Sequence, residues 1–312
     1  MTRRAARHAL AVCAVSFIAL ASCGTHAASS PTASNTTLAT TTVPTTTVVA
    51  TTVVPTTTSM TTELTTTIPA TTAVTTTEPD TTVPSPIGTS SSDDFLGEEV
   101  IGHSAQGRPI VASHRGTSGG TVILVVGVIH GNETAGLSIL QDLRTLQLPP
   151  DIDLWLIDSI NPDGVANAER HNGNGVDLNR NFPHDWTQVA QFGDWEYSGT
   201  GPASEPETQA FIAFTTRIVP HLTLWYHQDL NRISPSSRKD GPLRDRYAAL
   251  TGLPVLSVTG GTYTGVAATW VRTTVPDAMS FIVELGPTLS ADEALLHAVA
   301  VLDIAVMAQS VS

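Results

Sequence analysis

Apolar runs and helically spaced apolar positions follow one another along this chain, and the pattern begins only after residue 92. The apolar, β-branched runs predict buried strands, at Thr121–Val128, Asp153–Ile160, His221–His227 and Ser280–Leu285. Apolar residues three and four positions apart predict helices, at Thr134–Leu146, Glu205–Ile218 and Ala291–Met307. Buried strands that alternate with amphipathic helices predict an α/β domain whose sheet is covered by helices on both faces.

Two local features add detail to this pattern. The segment Val100–Val111 contains Gly107 near its middle, which predicts a β-hairpin ahead of the first buried strand. Ser204 stands directly before a predicted helix with acidic residues in its first turn, so we expect it to be the N-cap. Glu205 and Glu207 are accordingly interpreted as structural residues. The folded domain is predicted to span residues 93–312.

The composition changes sharply ahead of this domain. Residues 1–22 combine three arginines with an apolar run that is too short for a comfortable membrane span, which predicts a signal peptide. The run ends in Leu20-Ala-Ser-Cys23, which resembles a bacterial lipobox, where the signal is cleaved before the cysteine and the cysteine carries the lipid. The alternative is ordinary cleavage after Ala27, which would give a secreted protein.

Residues 23–92 consist mainly of Thr, Val, Pro, Ser and Ala, with almost no charge and no aromatic residue. Such a segment cannot bury a core, so we expect a disordered linker. Together with a lipid on Cys23, the linker predicts an exported protein that is anchored to the outer face of a bacterial membrane. Its folded domain would then lie in the cell-wall or extracellular space.

Charge and cysteine content limit the partners. The net charge is −13, and an acidic protein lacks the basic surface that binds nucleic acid or anionic lipid. The only cysteines are Cys13 and Cys23, so the folded domain has no disulfide and must be stabilised by its core. We expect a monomer that does not bind nucleic acid and that contacts the membrane only through its lipid.

Three residues at strand ends have the chemistry of metal ligands. His130 and Glu133 follow one buried strand, and His227 ends another. A His-x-x-Glu pair alone is a weak signal, because a surface histidine beside a helix-capping acid produces the same spacing. With a second strand-end histidine, the set matches a zinc site that has three protein ligands and an open position.

Polar residues elsewhere fit the same site. Arg170 and Arg180 are suited to binding a carboxylate or stabilising an oxyanion, and Asp177 is suited to accepting the second N–H of a ligating histidine. The alternative for this loop is an ordinary Asx-rich turn in which Arg180 pairs with a surface acid. Glu284 is a lone acid in an apolar strand, which is unfavourable unless the acid is paired or functional. Beside a metal it would be a general base, and otherwise a strand-end carboxylate that meets solvent.

Several motifs occur together in one order, from Val100 to the C-terminus. They are His-Gly-Asn-Glu, Asn-Pro-Asp-Gly, Val-Asp-Leu-Asn-Arg-Asn-Phe-Pro, Ser-Glu-Pro-Glu-Thr, the strand-end His227 and Phe-Ile-Val-Glu-Leu. In this set the chain resembles the zinc metallocarboxypeptidases of the carboxypeptidase A family, and within it the murein peptide amidases. The resemblance implies a mixed, mostly parallel eight-stranded sheet between helices.

The resemblance also implies roles for individual residues. One zinc ion per chain would be bound by His130, Glu133 and His227, with Glu284 as the general base. Arg170 would polarise the scissile carbonyl. The remaining implied positions hold a carboxylate of the substrate or line its pocket: Asn179, Arg180, Ala268, Thr269 and, as the counterpart of the mobile tyrosine of carboxypeptidase A, Tyr263.

The substrate that the resemblance implies is a cell-wall peptide, cleaved at the γ-D-glutamyl–diaminopimelate bond. One alternative is a carboxypeptidase that removes ordinary C-terminal amino acids. Another is an acylase of the aspartoacylase branch, against which the Asn-Pro-Asp-Gly and Ser-Glu-Pro-Glu-Thr motifs count. A catalytically inactive wall-binding lipoprotein is disfavoured, because the chain retains all three expected ligands and the base.

Overall fold

A computed structural model describes residues 94–311. The predicted signal peptide (1–22), Cys23 and the predicted linker (23–92) lie outside the described residues. The strands are β1 (Phe95–His103), β2 (Pro109–Gly116), β3 (Thr121–Val128), β4 (Ile152–Ser159), β5 (Leu222–Gln228), β6 (Arg232–Ile233) and β7 (Met279–Leu285). The helices are α1 (Gly136–Leu143), α2 (Pro162–Asn167), α3 (Pro206–Ile218), α4 (Gly241–Thr251), α5 (Ala267–Thr274) and α6 (Ala291–Ala308), with a 3₁₀ helix at Leu178–Arg180.

The strands form one mixed sheet in the order β1-β2-β4-β3-β5-β7-β6. The central strands β4, β3, β5 and β7 are parallel, and the pairings at both edges are antiparallel. This confirms the predicted mixed sheet, with parallel pairing confined to its centre.

The predicted number of eight strands is wrong for the described residues, which form seven. Next to β6, Val255 makes only an isolated parallel bridge with Ile233. Ile233 N donates to Pro254 O (3.0 Å), and Leu256 N donates to Ile233 O (2.9 Å). Proline has no N–H to extend the ladder, so the pairing ends after a single residue.

The two faces of the sheet bury separate hydrophobic cores. In β3, Ile123 and Val125 pack with residues of α1, α4 and α6, whereas Leu124 and Val126 pack with residues of α3 and α5. Successive side chains of a strand point to opposite faces, so a strand covered on both faces is apolar at every position. This arrangement explains why the central strands are continuous apolar runs in the sequence.

Some predicted elements agree with the structure, whereas others begin at a different residue or were not predicted. The hairpin of β1 and β2 is confirmed, and Gly107 adopts a φ of +80° in its turn. The N-cap prediction for Ser204 is wrong, because α3 begins at Pro206 with Glu205 as its N-cap residue. The Ser204 hydroxyl instead donates to Glu205 Oε1 at 2.7 Å. The pattern of apolar positions did not reveal α2, α4, α5 and β6, which are short or weakly periodic.

The topology brings the ends of several strands to one place. The carboxyl ends of β3, β5 and β7 are adjacent because these strands are parallel neighbours. In open α/β sheets, ligands bind at this edge. No helix within residues 94–311 is long and apolar enough to cross a membrane.

Candidate metal centre and active site

The candidate metal ligands come from two neighbouring strands. His130 follows β3 after one intervening residue, and Glu133 lies in the turn beyond it. His227 is near the end of β5, which pairs with β3 in parallel. Residues that are far apart in sequence therefore meet at one edge of the sheet.

Their donor atoms converge on a small volume. Glu133 Oε1 lies 2.9 Å from His130 Nδ1, and Glu133 Oε2 lies 2.9 Å from His227 Nδ1. The two imidazole rings are 4.7 Å apart in a T-shaped arrangement. One donor atom from each of the three residues lies within 4.8 Å of the others, and all three residues are buried.

A buried carboxylate fixes the orientation of the His130 ring. His130 Nε2 lies 3.1 Å from Asp177 Oδ1, while Arg170 Nη1 lies 3.0 Å from His130 Nδ1. An arginine N–H can only donate, so Nδ1 carries the lone pair and the Nε2 N–H donates to Asp177. The lone pair of His130 therefore faces Glu133, as a metal ligand requires, and Asp177 holds the tautomer.

Burial and neighbouring charges shift the pKa values of His130, Glu133 and Asp177. Burial disfavours the protonated form of His130, but the Asp177 carboxylate outweighs burial and raises the pKa of His130. Burial opposes ionisation of Glu133, but its close contacts with the His130 and His227 imidazoles lower its pKa. The pKa of Asp177 is also lowered despite burial, by the charges of His130 and Arg170. Both carboxylates are therefore ionised at neutral pH.

The donor set fits zinc. Two imidazoles and one carboxylate are a common protein ligand set of catalytic zinc sites, which leave a further position open. Asp177 supplies the carboxylate that orients a ligating histidine in such sites. Within residues 94–311, the cluster of His130, Glu133 and His227 is the one group of three or more potential ligands close enough to hold an ion.

Glu284 lies beside the cluster and is suited to proton transfer. It is in β7, directly opposite His227 in the register with β5. Burial raises the pKa of Glu284; the nearby His227 opposes this shift, and the Glu133 carboxylate adds to it. A partly buried carboxyl with a raised pKa is typical of general acids and bases. Its side chain lines a cavity of about 500 Å³ that the predicted pocket residues Ala268 and Thr269 also line.

Arg170 is held firmly against the cluster. Its Nε and Nη2 donate to Asp177 Oδ2 at 3.1 and 2.7 Å, and its Nη1 lies 3.4 Å from Glu133 Oε1. The Trp195 ring covers its guanidinium at 4.9 Å. The alternative of an ordinary Asx-rich turn does not hold for Arg170, because Asp177 joins it to His130. The pairing of Arg180 with an acid, which that alternative included, does form with Glu196.

Arg180 and Asn179 stand next along the same loop. Arg180 Nη1 donates to Asn179 O at 3.0 Å, and its Nη2 lies 2.5 Å from Glu196 Oε1. The Asn179 side-chain nitrogen lies 3.4 Å from His227 Nε2, while its oxygen accepts from Ala267 N at 3.0 Å. Tyr263 is 55% exposed, and its ring lies 5.6 Å from the Arg180 guanidinium carbon.

Two acids anchor the loop that carries these arginines. The Asn172 side-chain nitrogen donates to Glu205 Oε2 and Glu207 Oε2 at 2.8 and 3.0 Å. Glu207 also accepts from Ala105 N at 2.8 Å. These contacts agree with the structural interpretation of Glu205 and Glu207, since both acids tie the loop to neighbouring segments.

The structure brings every candidate site residue of the folded domain to this edge of the sheet, and Cys23 lies outside the described residues. It also adds residues that the sequence analysis missed. Glu196 and Trp195 contact the two arginines from a loop without regular structure, where the only signal was an aromatic residue next to an acid. Arg244 and Arg272 line the cavity from α4 and α5, two helices that the periodicity did not reveal.

Comparisons of the sequence agree with this geometry. Residues 90–233 match the profile of the zinc carboxypeptidases. Murein peptide amidase A of Escherichia coli strain K12 is 31% identical over 186 residues, which cover 56% of this chain and 76% of that protein. The human carboxypeptidase N catalytic chain is 34% identical over 122 residues, which cover 28% of this chain and 26% of that protein.

Solved structures show the same relationship. The murein-tripeptide amidase of Escherichia coli O157 superposes with a TM-score of 0.57 at 28% identity, covering 70% of this chain and 96% of that chain. The carboxypeptidase A of Helicoverpa armigera superposes with a TM-score of 0.62 at 17% identity, covering 70% and 69%, and shows the shared fold alone. With a zinc-compatible ligand set at the expected place in that fold, the chain belongs to the zinc carboxypeptidase family of zinc-dependent peptidases.

Proposed function

We propose that this peptidase hydrolyses the γ-D-glutamyl–diaminopimelate bond of murein peptides. The observation that carries the proposal is the similarity to murein peptide amidase A of Escherichia coli, which extends over 76% of that protein. The two buried arginines beside the metal cluster support a substrate that has a free carboxylate next to the scissile bond.

In this proposal His130, Glu133 and His227 hold zinc. A bound zinc ion supplies Lewis-acid chemistry, by which it lowers the pKa of the attacking water and polarises the scissile carbonyl. Asp177 holds the His130 ring through the 3.1 Å contact to Nε2, so that His130 would present its lone pair to a bound zinc ion.

Glu284 moves the proton. Because its pKa is raised, this carboxylate accepts a proton from the attacking water and then donates it to the leaving amine. Arg170 stabilises the oxyanion that develops on the carbonyl oxygen, and the two hydrogen bonds that it donates to Asp177 Oδ2 fix it before the substrate arrives. In this proposal a general base, Glu284, and a preorganised cation, Arg170, both act on the scissile amide bond.

Arg180 binds the substrate carboxylate, with Asn179 beside it and Tyr263 covering the site. Without substrate, Glu196 Oε1 occupies this position on the Arg180 guanidinium at 2.5 Å. A substrate carboxylate must displace Glu196, because both compete for the same N–H donors. The contact thus weakens substrate binding by the free energy of the internal ion pair.

Replacing Glu196 with glutamine is expected to lower KM by a factor of about 1.4 to 5, since a partly exposed ion pair contributes about 0.2–1 kcal/mol. Steady-state kinetics on the murein tripeptide measure this change. The matched control is Glu169→Gln, at an exposed position outside the Arg180–Glu196 contact, which should leave KM as it is. An unchanged or increased KM in Glu196→Gln contradicts the competition.

The substrate is tested with the tripeptide L-Ala-γ-D-Glu-diaminopimelate. The full chain, loaded with zinc, should release free diaminopimelate that mass spectrometry detects, and Glu284→Gln should not.

The second candidate is a carboxypeptidase for ordinary peptides, which the similarity to human carboxypeptidase N favours. Release of C-terminal residues from α-linked peptides, with none from the tripeptide, would replace the first candidate by the second.

We also propose that residues 1–22 direct export, that Cys23 carries a lipid and that residues 23–92 tether the domain 93–312 to the outer face of the membrane. The support is the arginine-rich start, the short apolar run and the Leu-Ala-Ser-Cys sequence. Metabolic labelling with radioactive palmitate tests the anchor. Label in the wild-type protein but not in Cys23→Ala supports it, and equal labelling of both, or of neither, rejects it.

A further inference from the structure

The cavity beside Glu284 is basic, although the molecule is acidic. It has a volume of about 500 Å³, within the range of small-molecule pockets. Arg238, Arg244 and Arg272 line it, and among the described residues Glu284 is its one carboxylate. The chain as a whole has a net charge of −13, so this cavity is an exception that attracts anions.

Two of the three arginines do not require a ligand. Arg244 is buried, and its Nε and Nη2 donate to Asp240 Oδ2 at 2.9 and 2.6 Å. Its Nη1 donates to Ser234 O at 3.0 Å, so the protein already balances this charge. Arg238 is exposed, and solvent stabilises it.

Arg272 differs from both. It is half-buried on α5, and its Nη2 donates to Thr269 Oγ1 at 2.7 Å, but among the described residues it forms no ion pair. Burial, followed by repulsion from Arg244 and Arg238, lowers the pKa of Arg272. A half-buried cation beside like charges is unfavourable, and a ligand carboxylate would offset this through charge-assisted hydrogen bonds.

The position of the cavity connects Arg272 to the reaction. Helix α5 presents Ala268, Thr269 and Arg272 to it, and Glu284 and Tyr263 line it as well. When the scissile bond of a peptide lies beside Glu284, the side chain of its last residue can therefore enter this cavity. Ala268 and Thr269 are small and leave room for a long side chain to reach the guanidinium.

Building on the proposed function, we propose that Arg272 selects substrates whose last residue has a carboxylate in its side chain. The distal carboxylate of diaminopimelate and the side chain of glutamate share this chemistry. Hydrogen bonds between the Arg272 guanidinium and this carboxylate should make kcat/KM about 10- to 100-fold higher than for a neutral side chain of similar length.

The test uses four tripeptides, L-Ala-γ-D-Glu-X, in which X is diaminopimelate, glutamate, norleucine or lysine. The full zinc-loaded chain should show a kcat/KM about 10- to 100-fold higher for the two carboxylate side chains than for norleucine. Arg272→Met should abolish this ratio, and Arg272→Lys should retain part of it. The matched control is Arg144→Met, which removes a surface arginine paired with Asp158 and should keep the wild-type ratio. Comparing diaminopimelate with glutamate tells which carboxylate is preferred.

A binding measurement makes the result independent of turnover. Calorimetry on Glu284→Gln, with and without Arg272→Met, gives the dissociation constants of the same four peptides. Equal affinities for norleucine and glutamate, or an equal loss for all four peptides in Arg272→Met, overturn the role of Arg272. A carboxylate preference seen only with the α-linked series L-Ala-L-Glu-X would instead keep that role and reject the γ-D-glutamyl substrate.

Discussion

Replacing Glu284 with glutamine is expected to lower kcat by about 10²- to 10⁴-fold, which is the usual contribution of a positioned general base. Glutamine keeps the shape of the side chain but cannot accept the proton of the attacking water. Zinc content and substrate affinity should change little, because Glu284 is not one of the three converging ligands. Stopped-time assays with the murein tripeptide, together with metal analysis of the same samples, measure both quantities.

The melting temperature of Glu284→Gln shows whether its low kcat comes from the missing base or from a loss of folded protein. Burial raises the pKa of Glu284, so the ionised carboxylate is unfavourable in the folded state at neutral pH. The neutral amide removes this penalty, and the melting temperature of metal-free Glu284→Gln should be no lower than that of the wild type. Glu169→Gln is the matched control at an exposed site. A variant that keeps wild-type kcat would show that Glu284 is not the base.

Replacing His130 with alanine is expected to reduce bound zinc from one ion per chain to almost none, with a corresponding loss of activity. Only two protein ligands remain, and the Glu133 carboxylate loses the His130 contact to Oε1. Catalytic zinc sites use three protein ligands, so the affinity of the remaining pair is low. Metal analysis after dialysis against a weak chelator measures the stoichiometry directly.

The matched control for this variant is His103→Ala, because His103 is exposed on the edge strand β1. It should retain one zinc ion per chain under the same dialysis. Asp177→Asn provides an intermediate case, since it keeps all three ligands but removes the carboxylate that orients His130; its zinc affinity should fall about 10- to 100-fold. Full zinc retention by His130→Ala would assign the metal to other residues.

The central strands were predictable because each is buried on both faces. The predicted bounds of β3 match the structure, and those of β4, β5 and β7 differ by one residue at one or both ends. Helix α6 was predictable for a similar reason, since its long apolar face packs into one core. The short helix α5 was not, because it has only two turns and its few apolar residues, two of them alanines, do not repeat often enough to show a helical period.

Some residues of the candidate site were predictable from the sequence and others were not. His130, Glu133, His227 and Glu284 were predictable because polar residues at the ends of apolar strands are conspicuous. The contact between Glu196 and Arg180 was not, because it joins two irregular loops whose paths have no periodic signal. The same holds for Arg272, whose neighbours Arg238 and Arg244 come from other segments of the chain.

The sequence by itself determined the strand-and-helix order, the identity of the chemical groups and the family motifs, because periodicity and residue type are local properties. Only the tertiary structure decided which atoms meet. Parallel pairing of β3, β5 and β7 places the ligands and the base at one edge, and loop packing sets Asp177 against His130. The charge of the cavity is also a tertiary property, because it depends on which arginines are neutralised by a neighbouring carboxylate and which are not.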